Sequence, residues 1–401
     1  MKQAPPLTSI RVLDLSRIIA GPNCTMQLAD LGAEVIKVER PGHGDETRNM
    51  RPPDANGEAH FYLAYNRNKK SIAIDMQSEA GRQLIHQLAA KSDVMIENFR
   101  PGVVKRLGID YEAMKQINPG LVYCSISAYG QTGSMSKRPG LDPVLQAEMG
   151  LMSVNGEPDG TPMRHLISLT DLMTSLLAST AISAALVRRK DTGLGEFIDL
   201  SLMGGAFALL GNVAQYYLTS GENPPRSGNA HPSAVPVGAF AGSDGDMFYT
   251  ACGTQGHFTK LIKDIVEQPA LLDDPRFATN KDRVENRQTL LDILTEVFAT
   301  KPRDYWVEQI QAAGLPAGPV RPLSEAMESP EVIEAGLLQT LNHPTAGDIR
   351  LMRSPIKLAN TEDKPDSPPP LLGQHTDDVL RDVLEANDET LASLRSDGVI
   401  D

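Results

Sequence analysis

The sequence predicts an α/β protein built on a mainly parallel, doubly wound sheet. Short apolar strands alternate with segments of helical periodicity along residues 10–128, and strands that alternate with helices usually lie parallel in one sheet. At 401 residues the chain is long enough for two folded units, since a single core rarely grows beyond about 250–300 residues. With 41% hydrophobic and 22% charged residues, the composition is that of a globular enzyme.

The predicted elements follow one another in a regular order. The expected strands lie at 10–15, 34–39, 71–75, 93–97 and 121–128, and the expected helices at 23–31, 79–90, 172–189 and 200–218. The turn after the first strand, 16–22 (SRIIAGP), has no GxGxxG pattern. A nicotinamide-dependent enzyme is therefore only a minor hypothesis.

Two Pro-rich segments divide the chain. One lies at 221–236, after the apolar helices, and the other lies at 364–370. Between them, a strand at 247–251 and amphipathic helices such as 286–298 indicate a smaller α/β unit. We therefore predict domain parts at 1–220, 221–330 and 331–401, of which the second is the small domain.

Charge and composition argue against several classes of partner. The net charge of −13 is unsuited to nucleic acid, which binds clustered Lys and Arg. Three distant cysteines without a CxxC pair, and eight histidines without ligand spacing, predict neither disulfides nor a metal site. The first residues contain no apolar h-region, and the most apolar run, 172–187, is short and contains Ser and Thr. We expect no signal peptide, no membrane span and a cytoplasmic location.

Asp171 is the most informative acidic residue. It is the only Asp or Glu between Met163 and Val187, and it lies in an apolar segment (LISLTDLMTSLL). One interpretation is that Thr170 or Asp171 caps the following helix and complements its dipole. The other is catalysis, because a partly dehydrated carboxylate that helix N–H groups keep ionised is a usable nucleophile. Both interpretations can hold together.

Basic residues collect after several of the predicted strands. They are Arg40, Arg67, Lys69, Lys70, Arg100 and Arg106. Ligands of open α/β sheets bind at the carboxyl ends of the strands, so these residues predict a phosphate site within an acidic protein. The alternative interpretation is a solvated charge cluster.

Several strings resemble one known family, in that family's order and along nearly the whole chain. They are 19–22 (IAGP), 35–42 (VIKVERPG), 66–71 (NRNKKS), 97–103 (ENFRPGV), 127–133 (SAYGQTG), the segment around Asp171, 228–232 (GNAHP) and 369–375 (PPLLGQH). The chain is similar to the class III coenzyme A transferases, which include formyl-CoA and carnitine CoA transferases. It most resembles members that move CoA from succinyl-CoA to dicarboxylates such as glutarate or itaconate.

This resemblance implies an architecture, a mechanism and ligands. The fold would be a Rossmann-like large domain formed by both chain ends and a small α/β domain formed by the middle, assembled as an interlocked homodimer. Asp171 would be the nucleophile, forming an aspartyl anhydride and then an aspartyl-CoA thioester. An acyl-CoA and a carboxylic acid would be the substrates, with no permanently bound cofactor. The positions that match CoA contacts are Ile18, Ile19, Ala20, Arg40, Asn98, Phe99 and Arg106, and less directly Lys69 and Arg100.

Departures from the family's patterns leave alternatives open. The glycine-rich lid of the oxalate-using members is replaced by 228–232, which argues against oxalate as the acceptor. An α-methylacyl-CoA racemase of the same fold would need an acid/base pair, and its histidine position is Leu141 in this chain. A non-catalytic acyl-CoA-binding protein would keep the basic pocket without needing Asp171 as a nucleophile.

Overall fold

The computed structural model describes residues 2–401, and the chain forms two compact units. Unit 1 comprises residues 2–151, Arg164–Glu222 and Glu334–Asp401, and unit 2 comprises Met152–Met163 and Asn223–Ile333. The breaks after 222 and 333 lie near the predicted ones after 220 and 330. The short piece 152–163 belongs to the small unit, which the sequence pattern did not indicate.

The elements alternate in chain order much as the sequence predicts. The strands are β1 (Arg11–Asp14), β2 (Glu34–Glu39), β3 (Asp54–Ala55), β4 (Glu58–Ala59), β5 (Lys69–Ala73), β6 (Val94–Glu97), β7 (Val122–Ser127), β8 (Glu196–Ser201), β9 (Val237–Ala241), β10 (Met247–Ala251), β11 (Ala317–Pro319), β12 (Leu338–His343) and β13 (Gly347–Met352). The helices are α1 (Ala20–Asp30), α2 (His60–Tyr65), α3 (Glu79–Ala90), α4 (Val103–Leu107), α5 (Tyr111–Ile117), α6 (Asp142–Glu148), α7 (Leu169–Thr192), α8 (Leu202–Ser220), α9 (Gln255–Lys260), α10 (Asn280–Glu285), α11 (Arg287–Phe298), α12 (Arg303–Ala312), α13 (Leu323–Met327), α14 (Pro330–Glu334), α15 (Thr376–Leu384) and α16 (Asp388–Ser396). Short 3₁₀ turns lie at Glu46–Asn49, Pro269–Leu272 and Pro275–Phe277, and a π-helical turn at Leu261–Ile265.

The sheet of unit 1 is parallel throughout and has the order β5-β2-β1-β6-β7-β8. The chain builds it outward in one direction through β2 and β5, then returns to β6 on the other side of β1. The strand order therefore reverses between β1 and β6. Strand β8 was not predicted, because its residues (EFIDLS) are followed at once by helix α8, with no turn residue between them that would mark the boundary.

Each face of this sheet carries its own apolar core. Successive strand residues point to opposite faces, so the neighbours Val12 and Leu13 of β1 belong to different cores. Val12 packs with residues of α1 and α7, such as Leu28. Leu13 packs with residues of α3 and α15, such as Val379. The C-terminal helix α15 thus completes the core that the N-terminal strand begins.

The C-terminal segment also covers the edge strand β5. The amide of His375 donates to Ser71 O (2.9 Å), and the amide of Ala73 donates to Thr376 Oγ1 (3.1 Å). Gly373 has a φ of +66°, and a Cβ there would stand 3.2 Å from the Cβ of Ala73. The 369–375 string therefore protects an open sheet edge, where unpaired backbone groups would otherwise invite aggregation.

Unit 2 has a three-stranded antiparallel sheet in the order β11-β10-β9. Its core centres on Phe298, whose ring meets those of Phe240, Phe248 and Trp306 edge to face at centroid distances of 4.9, 5.1 and 5.2 Å. The indole Nε1 of Trp306 donates to Phe298 O (2.7 Å), so the one polar atom of this cluster is satisfied.

Helix α7 extends further than the predicted apolar run, over 24 residues. By length and composition it could cross a membrane, and 39% of its most apolar stretch is buried in the structure. It packs against α1, α6 and α8 within unit 1. Core helices of globular proteins meet the same criteria, so a single such helix is weak support for a membrane span.

Candidate active site

A cavity of about 810 Å³ opens where the strand order of unit 1 reverses. Its lining includes Leu15 directly after β1, Glu39 at the end of β2 and Phe99 just after β6. In open parallel sheets, the crevice at the carboxyl ends of the strands beside such a reversal is the usual place for a ligand. The topology of unit 1 therefore predicts a binding site here.

Basic side chains dominate the charge of this cavity. Its basic lining residues are Arg17, Lys37, Arg40, His43, Arg82, Arg100 and Arg106. Among its acidic residues, Glu39 is bound to Arg48 and Asp45 to Lys37, so neither repels an anion at full strength. An anionic ligand with several phosphate oxygens matches this lining. The structure thus brings together Arg40, Phe99, Arg100 and Arg106, whose role as CoA contacts stays a prediction.

Arg17 and Arg82 line the same cavity, although the sequence did not single them out. The guanidinium of Arg17 lies 4.9 Å from the centre of the Phe99 ring and pairs with Glu46. Its Nε is buried and has no hydrogen-bond partner among residues 2–401. Arg17 occupies the turn after β1, and that position beside a strand end was the available signal.

The predicted contacts Ile18, Ile19 and Ala20 lie beside the cavity, in the turn that leads from β1 into α1. Ile19 and Ala20 are each 3% exposed, and Ile19 begins α1 without any side-chain cap. Ile18 adopts a left-handed φ of +71°. The side-chain amide of Asn98 is bound to the backbone of Arg17: it donates to Arg17 O and accepts from Arg17 N. These four residues shape the backbone at the cavity.

Lys69 does not fit its prediction as a CoA contact. Its Nζ is buried and donates to Asp14 Oδ2 (3.2 Å), Pro22 O (2.9 Å) and Asn66 Oδ1 (3.0 Å), which uses all three of its donors. Burial outweighs the neighbouring carboxylates and lowers the pKa of Lys69 to about 8. A lysine inside the strand β5 holds the sheet together here, and sequence position alone could not distinguish that role from phosphate binding.

Asp45 and Lys37 form a second buried pair beside it. Lys37 Nζ donates to Asp45 Oδ2 (2.9 Å) and to Ser16 O (2.9 Å). Burial by itself would raise the pKa of Asp45, but the charge of Lys37 and the amide of Thr47 lower it to about 2. The carboxylate is therefore ionised throughout the neutral range, and its place next to the β1 turn is fixed.

Asp171 lies in the first turn of α7, but it does not cap that helix. The cap comes from Asp142 at the start of α6, which accepts from Thr170 N (2.9 Å) and Thr170 Oγ1 (2.8 Å). Gln146 also donates to Asp142 (2.8 Å). The expectation that Thr170 or Asp171 supplies the cap is therefore wrong, because a residue 28 positions away in the chain satisfies those donors.

The carboxylate of Asp171 is left without a donor among the described residues 2–401. It is partly buried, and burial together with the neighbouring charge of Asp142 raises its pKa to about 7. We expected helix N–H groups to keep it ionised, and the structure instead makes its charged form costly. Such an anion is poorly solvated and more basic than an ordinary aspartate, and both properties favour attack on an acyl carbon.

Contacts behind Asp171 fix its helix against the rest of unit 1. Asn23 of α1 donates to Ser175 Oγ (2.6 Å), one turn after Asp171. Gly205 of α8 approaches α7 so closely that a Cβ there would stand 2.2 Å from Thr174 Oγ1. The same helix α1 begins at the turn beside the basic cavity, so one rigid element connects the cavity to the support of Asp171.

A metal centre finds no support in the part of the chain that the structure describes. Within residues 2–401, no group of three or more His, Cys, Asp or Glu side chains is arranged to hold an ion. Cys24, Cys124 and Cys252 are free and buried.

Comparison with known proteins identifies relatives of this chain along nearly its whole length. The chain is 41% identical to the succinyl-CoA:glutarate CoA-transferase of Homo sapiens, over 100% of this chain and 91% of that protein. It is 39% identical to the succinate–glutarate CoA-transferase of Agrobacterium fabrum, over 94% of this chain and 96% of that protein. Among solved structures, the CaiB/BaiF family protein from Brucella suis has a TM-score of 0.85 at 39% identity and covers 95% of this chain.

The match to a single family extends along most of the sequence. It covers residues 7–376, which include the basic cavity, the Asp171 helix and the segment that covers β5. Relatives above 30% identity align over nearly the full length of this chain. This protein therefore belongs to CoA-transferase family III and is an enzyme that acts on CoA thioesters.

Proposed function

We propose that this enzyme transfers CoA from succinyl-CoA to a dicarboxylic acid such as glutarate, with Asp171 as the covalent carrier. The observation that carries the proposal is the Asp171 carboxylate, which is partly buried, lacks a hydrogen-bond donor among residues 2–401 and has a pKa of about 7. The names of its relatives from Homo sapiens and Agrobacterium fabrum support the choice of acids.

The first half of the reaction loads CoA onto the enzyme. An Asp171 oxygen attacks the carbonyl carbon of the acyl-CoA, the carbon–sulfur bond breaks, and CoA leaves as the thiolate. The product is a mixed anhydride between Asp171 and the donor acid. The thiolate then attacks the aspartyl carbonyl, releasing the donor as a carboxylate and leaving an aspartyl-CoA thioester.

The second half reverses these steps with the acceptor. The acceptor carboxylate attacks the aspartyl-CoA carbonyl, CoA thiolate leaves, and a second anhydride forms. Attack of the thiolate on the acceptor's acyl carbon produces the new CoA thioester and regenerates the Asp171 carboxylate. Because no net proton transfer is needed, a nucleophile without an adjacent general base is sufficient.

The basic cavity supplies the binding energy in this proposal. Arg40, Arg100 and Arg106 suit the phosphates of CoA, and Phe99 offers an apolar surface next to them. Binding a remote part of the substrate positions its thioester and offsets the cost of dehydrating the reacting groups. Water must stay out, since it would hydrolyse either anhydride.

Mass spectrometry of the intact protein after incubation with succinyl-CoA tests the covalent role. We expect a CoA adduct on a peptide containing Asp171, which disappears in Asp171→Ala. Asp191→Asn is a matched control, because it changes an exposed aspartate in the last turn of the same helix. An Asp171→Ala enzyme that exchanges CoA at the normal rate would refute the mechanism, and an assay of a panel of mono- and dicarboxylates identifies the acceptor.

We further propose that the enzyme is an interlocked homodimer, as its family resemblance implies. Large apolar side chains of unit 1 are exposed along and near α7 and α8, namely Leu166, Leu176, Val187, Phe207 and Leu218. Exposed apolar surface of this extent in a soluble enzyme usually marks a protein interface.

Light scattering coupled to gel filtration tests the dimer directly. We expect about twice the mass of the 43.4 kDa chain at all concentrations. Interlocking predicts in addition that tagged and untagged dimers mixed at room temperature do not exchange subunits until they are unfolded. A monomer at low concentration would contradict both statements.

A further inference from the structure

The turn after β1 holds a β-branched residue in an unfavourable conformation. Ile18 has a φ of +71°, a left-handed region that suits glycine and costs a residue with a branched Cβ. Such a backbone persists only when its surroundings hold it in place. The turn is also tightly closed, since a Cβ on Gly21 would stand 2.1 Å from Ser16 Oγ.

Two side chains from other parts of the sheet hold the backbone of this turn. The amide of Ile18 donates to both carboxylate oxygens of Asp45, at 3.2 and 3.3 Å. Asn98 accepts from Arg17 N (2.9 Å) and donates to Arg17 O (2.7 Å). Asp45 follows β2 and Asn98 follows β6, so the turn is hydrogen-bonded from both sides of β1.

Asp45 is itself held by donors from several residues. It accepts from Thr47 N (2.9 Å) and Thr47 Oγ1 (2.8 Å) as well as from Lys37 Nζ. Lys37 also donates to Ser16 O, which closes a ring of contacts from Ser16 through Lys37 and Asp45 back to Ile18. The Asp45 side chain is therefore a rigid brace.

We propose that Asp45 and Asn98 are positioning residues for acyl-CoA, which hold Arg17 and Ile18 in the backbone shape that CoA binding requires. The inference rests on the proposed function, because it assumes that CoA occupies the basic cavity. The left-handed turn sends the Arg17 side chain over Phe99 and leads directly into the first residues of α1. Without the two braces, Ile18 relaxes to a negative φ and both features move.

The direction in which the KM for acyl-CoA changes in Asp45→Asn separates a positioning role from a purely electrostatic one. Asp45 lines the basic cavity, so removal of its negative charge should, by charge alone, improve phosphate binding and lower the KM for acyl-CoA. We expect the opposite. Asp45→Asn should raise the KM for succinyl-CoA ~10-fold or more, with little change in the KM for the acceptor acid.

Backbone strain can be tested by relieving it at Ile18. Glycine populates the left-handed region without cost. In the Ile18→Gly background, Asp45→Asn should therefore raise the KM for succinyl-CoA by no more than ~3-fold. In the Ile18→Ala background, which loses the side chain but keeps a Cβ, the rise should again be ~10-fold. Equal effects in all three backgrounds would overturn the proposal.

A second variant covers the possibility that Asp45→Asn fails to fold. Asn98→Ala removes both hydrogen bonds to the Arg17 backbone, and Asn98 is less buried than Asp45. This variant should show the same selective rise in the KM for succinyl-CoA. Merely structural damage would lower kcat by reducing the active fraction, with the KM unchanged, and that result also counts against the proposal. If the unaltered enzyme shows no CoA exchange at all, the proposed function is wrong. If the unaltered enzyme exchanges CoA and the KM for succinyl-CoA is unchanged in both variants, only this inference is wrong.

Discussion

Asp45 and Asp171 are the same residue type in opposite surroundings. Asp45 is 1% exposed, yet burial is outweighed by Lys37 and Thr47, and its pKa falls to about 2. Asp171 is less completely buried, yet burial and the charge of Asp142 raise its pKa to about 7. The number of donors, rather than the depth of burial, decides the charge state of each carboxylate.

The difference separates a structural acid, Asp45, from Asp171, the acid that we propose as the nucleophile. A fully partnered carboxylate is stable as an anion and has no lone pair free for a substrate, so Asp45 can brace the β1 turn. A carboxylate without partners is expensive to keep charged, and that cost makes it reactive. The remaining predictions test this contrast in order of decreasing effect.

The largest effect is expected from removing the partner of the structural acid. Lys37→Met leaves Asp45 buried without its cation, and the free energy of unfolding should fall by about 3–5 kcal/mol in urea titrations at pH 7. Lys70→Met is the control, because Lys70 pairs with Glu34 at the surface, where loss of an ion pair costs less than about 1 kcal/mol. Equal losses in the two variants would contradict the contrast.

The second prediction concerns stability as a function of pH. The raised pKa of Asp171 means that the folded state holds the proton more tightly than the unfolded chain, so this group makes stability fall as pH rises from its usual value of 3.8 to about 7. Asp171→Asn should therefore stabilise the enzyme at pH 8 by on the order of 2–4 kcal/mol and have little effect near pH 4.

The same substitution at Asp45 should act in the opposite direction. Its lowered pKa contributes stability above pH 3.8, which is lost as pH falls through about 2. Asp45→Asn is thus expected to destabilise the enzyme at pH 7, with a difference that shrinks in acid. Thermal unfolding of both variants across the pH range checks that the two changes in stability have opposite signs. The control variant Asp191→Asn should show the same dependence of stability on pH as the unaltered enzyme.

The third prediction is a pH–rate profile. In the proposed mechanism only the ionised form of Asp171 attacks, so kcat/KM for succinyl-CoA should rise about tenfold between pH 6 and pH 8, with a midpoint near the pKa of about 7. Because the charge of Asp142 contributes to that pKa, Asp142→Asn should move the midpoint to lower pH. A profile that is flat over this range would show that Asp171 is not the titrating nucleophile.

The smallest effect is expected at the contact that supports α7. Gly205→Ala places a methyl group against Thr174 and should lower the free energy of unfolding by about 1–3 kcal/mol. Gly256→Ala is the matched control, since that helical glycine has open space around its Cβ position and the change should be neutral or stabilising. Differential scanning calorimetry resolves the two outcomes.

Local patterns predicted most of the parallel sheet. Strand 34–39 of that sheet was placed at its observed bounds, as was strand 247–251 in the antiparallel sheet of unit 2, because each is a short run between turn residues. Strand β8 was missed, since its residues continue without a break into α8. The assignment of 152–163 to unit 2 was also missed, because only contacts distant in sequence define that unit.

The candidate site residues likewise divide into those that the sequence indicated and those that it misassigned or missed. Asp171 stood out as a lone acid in an apolar segment, and Arg40, Arg100 and Arg106 stood out because they follow strand ends. Lys69 follows the same pattern but is buried among three acceptors. Arg17 was overlooked although it lines the cavity. Neighbouring positions along a strand or turn can point to opposite sides, and sequence alone does not reveal the partners on each side.

The chain's residue pattern was enough to establish an α/β architecture and a family resemblance, and to single out one acid as the candidate nucleophile. It could not establish which charges are neutralised, because the partners of Asp45, Asn98 and Asp142 come from other strands and helices. Charge state and backbone strain depend on distances between segments far apart in the chain. Those distances exist only after the sheet has assembled, and they decide that Asp45 has several donors while the Asp171 carboxylate has none among residues 2–401.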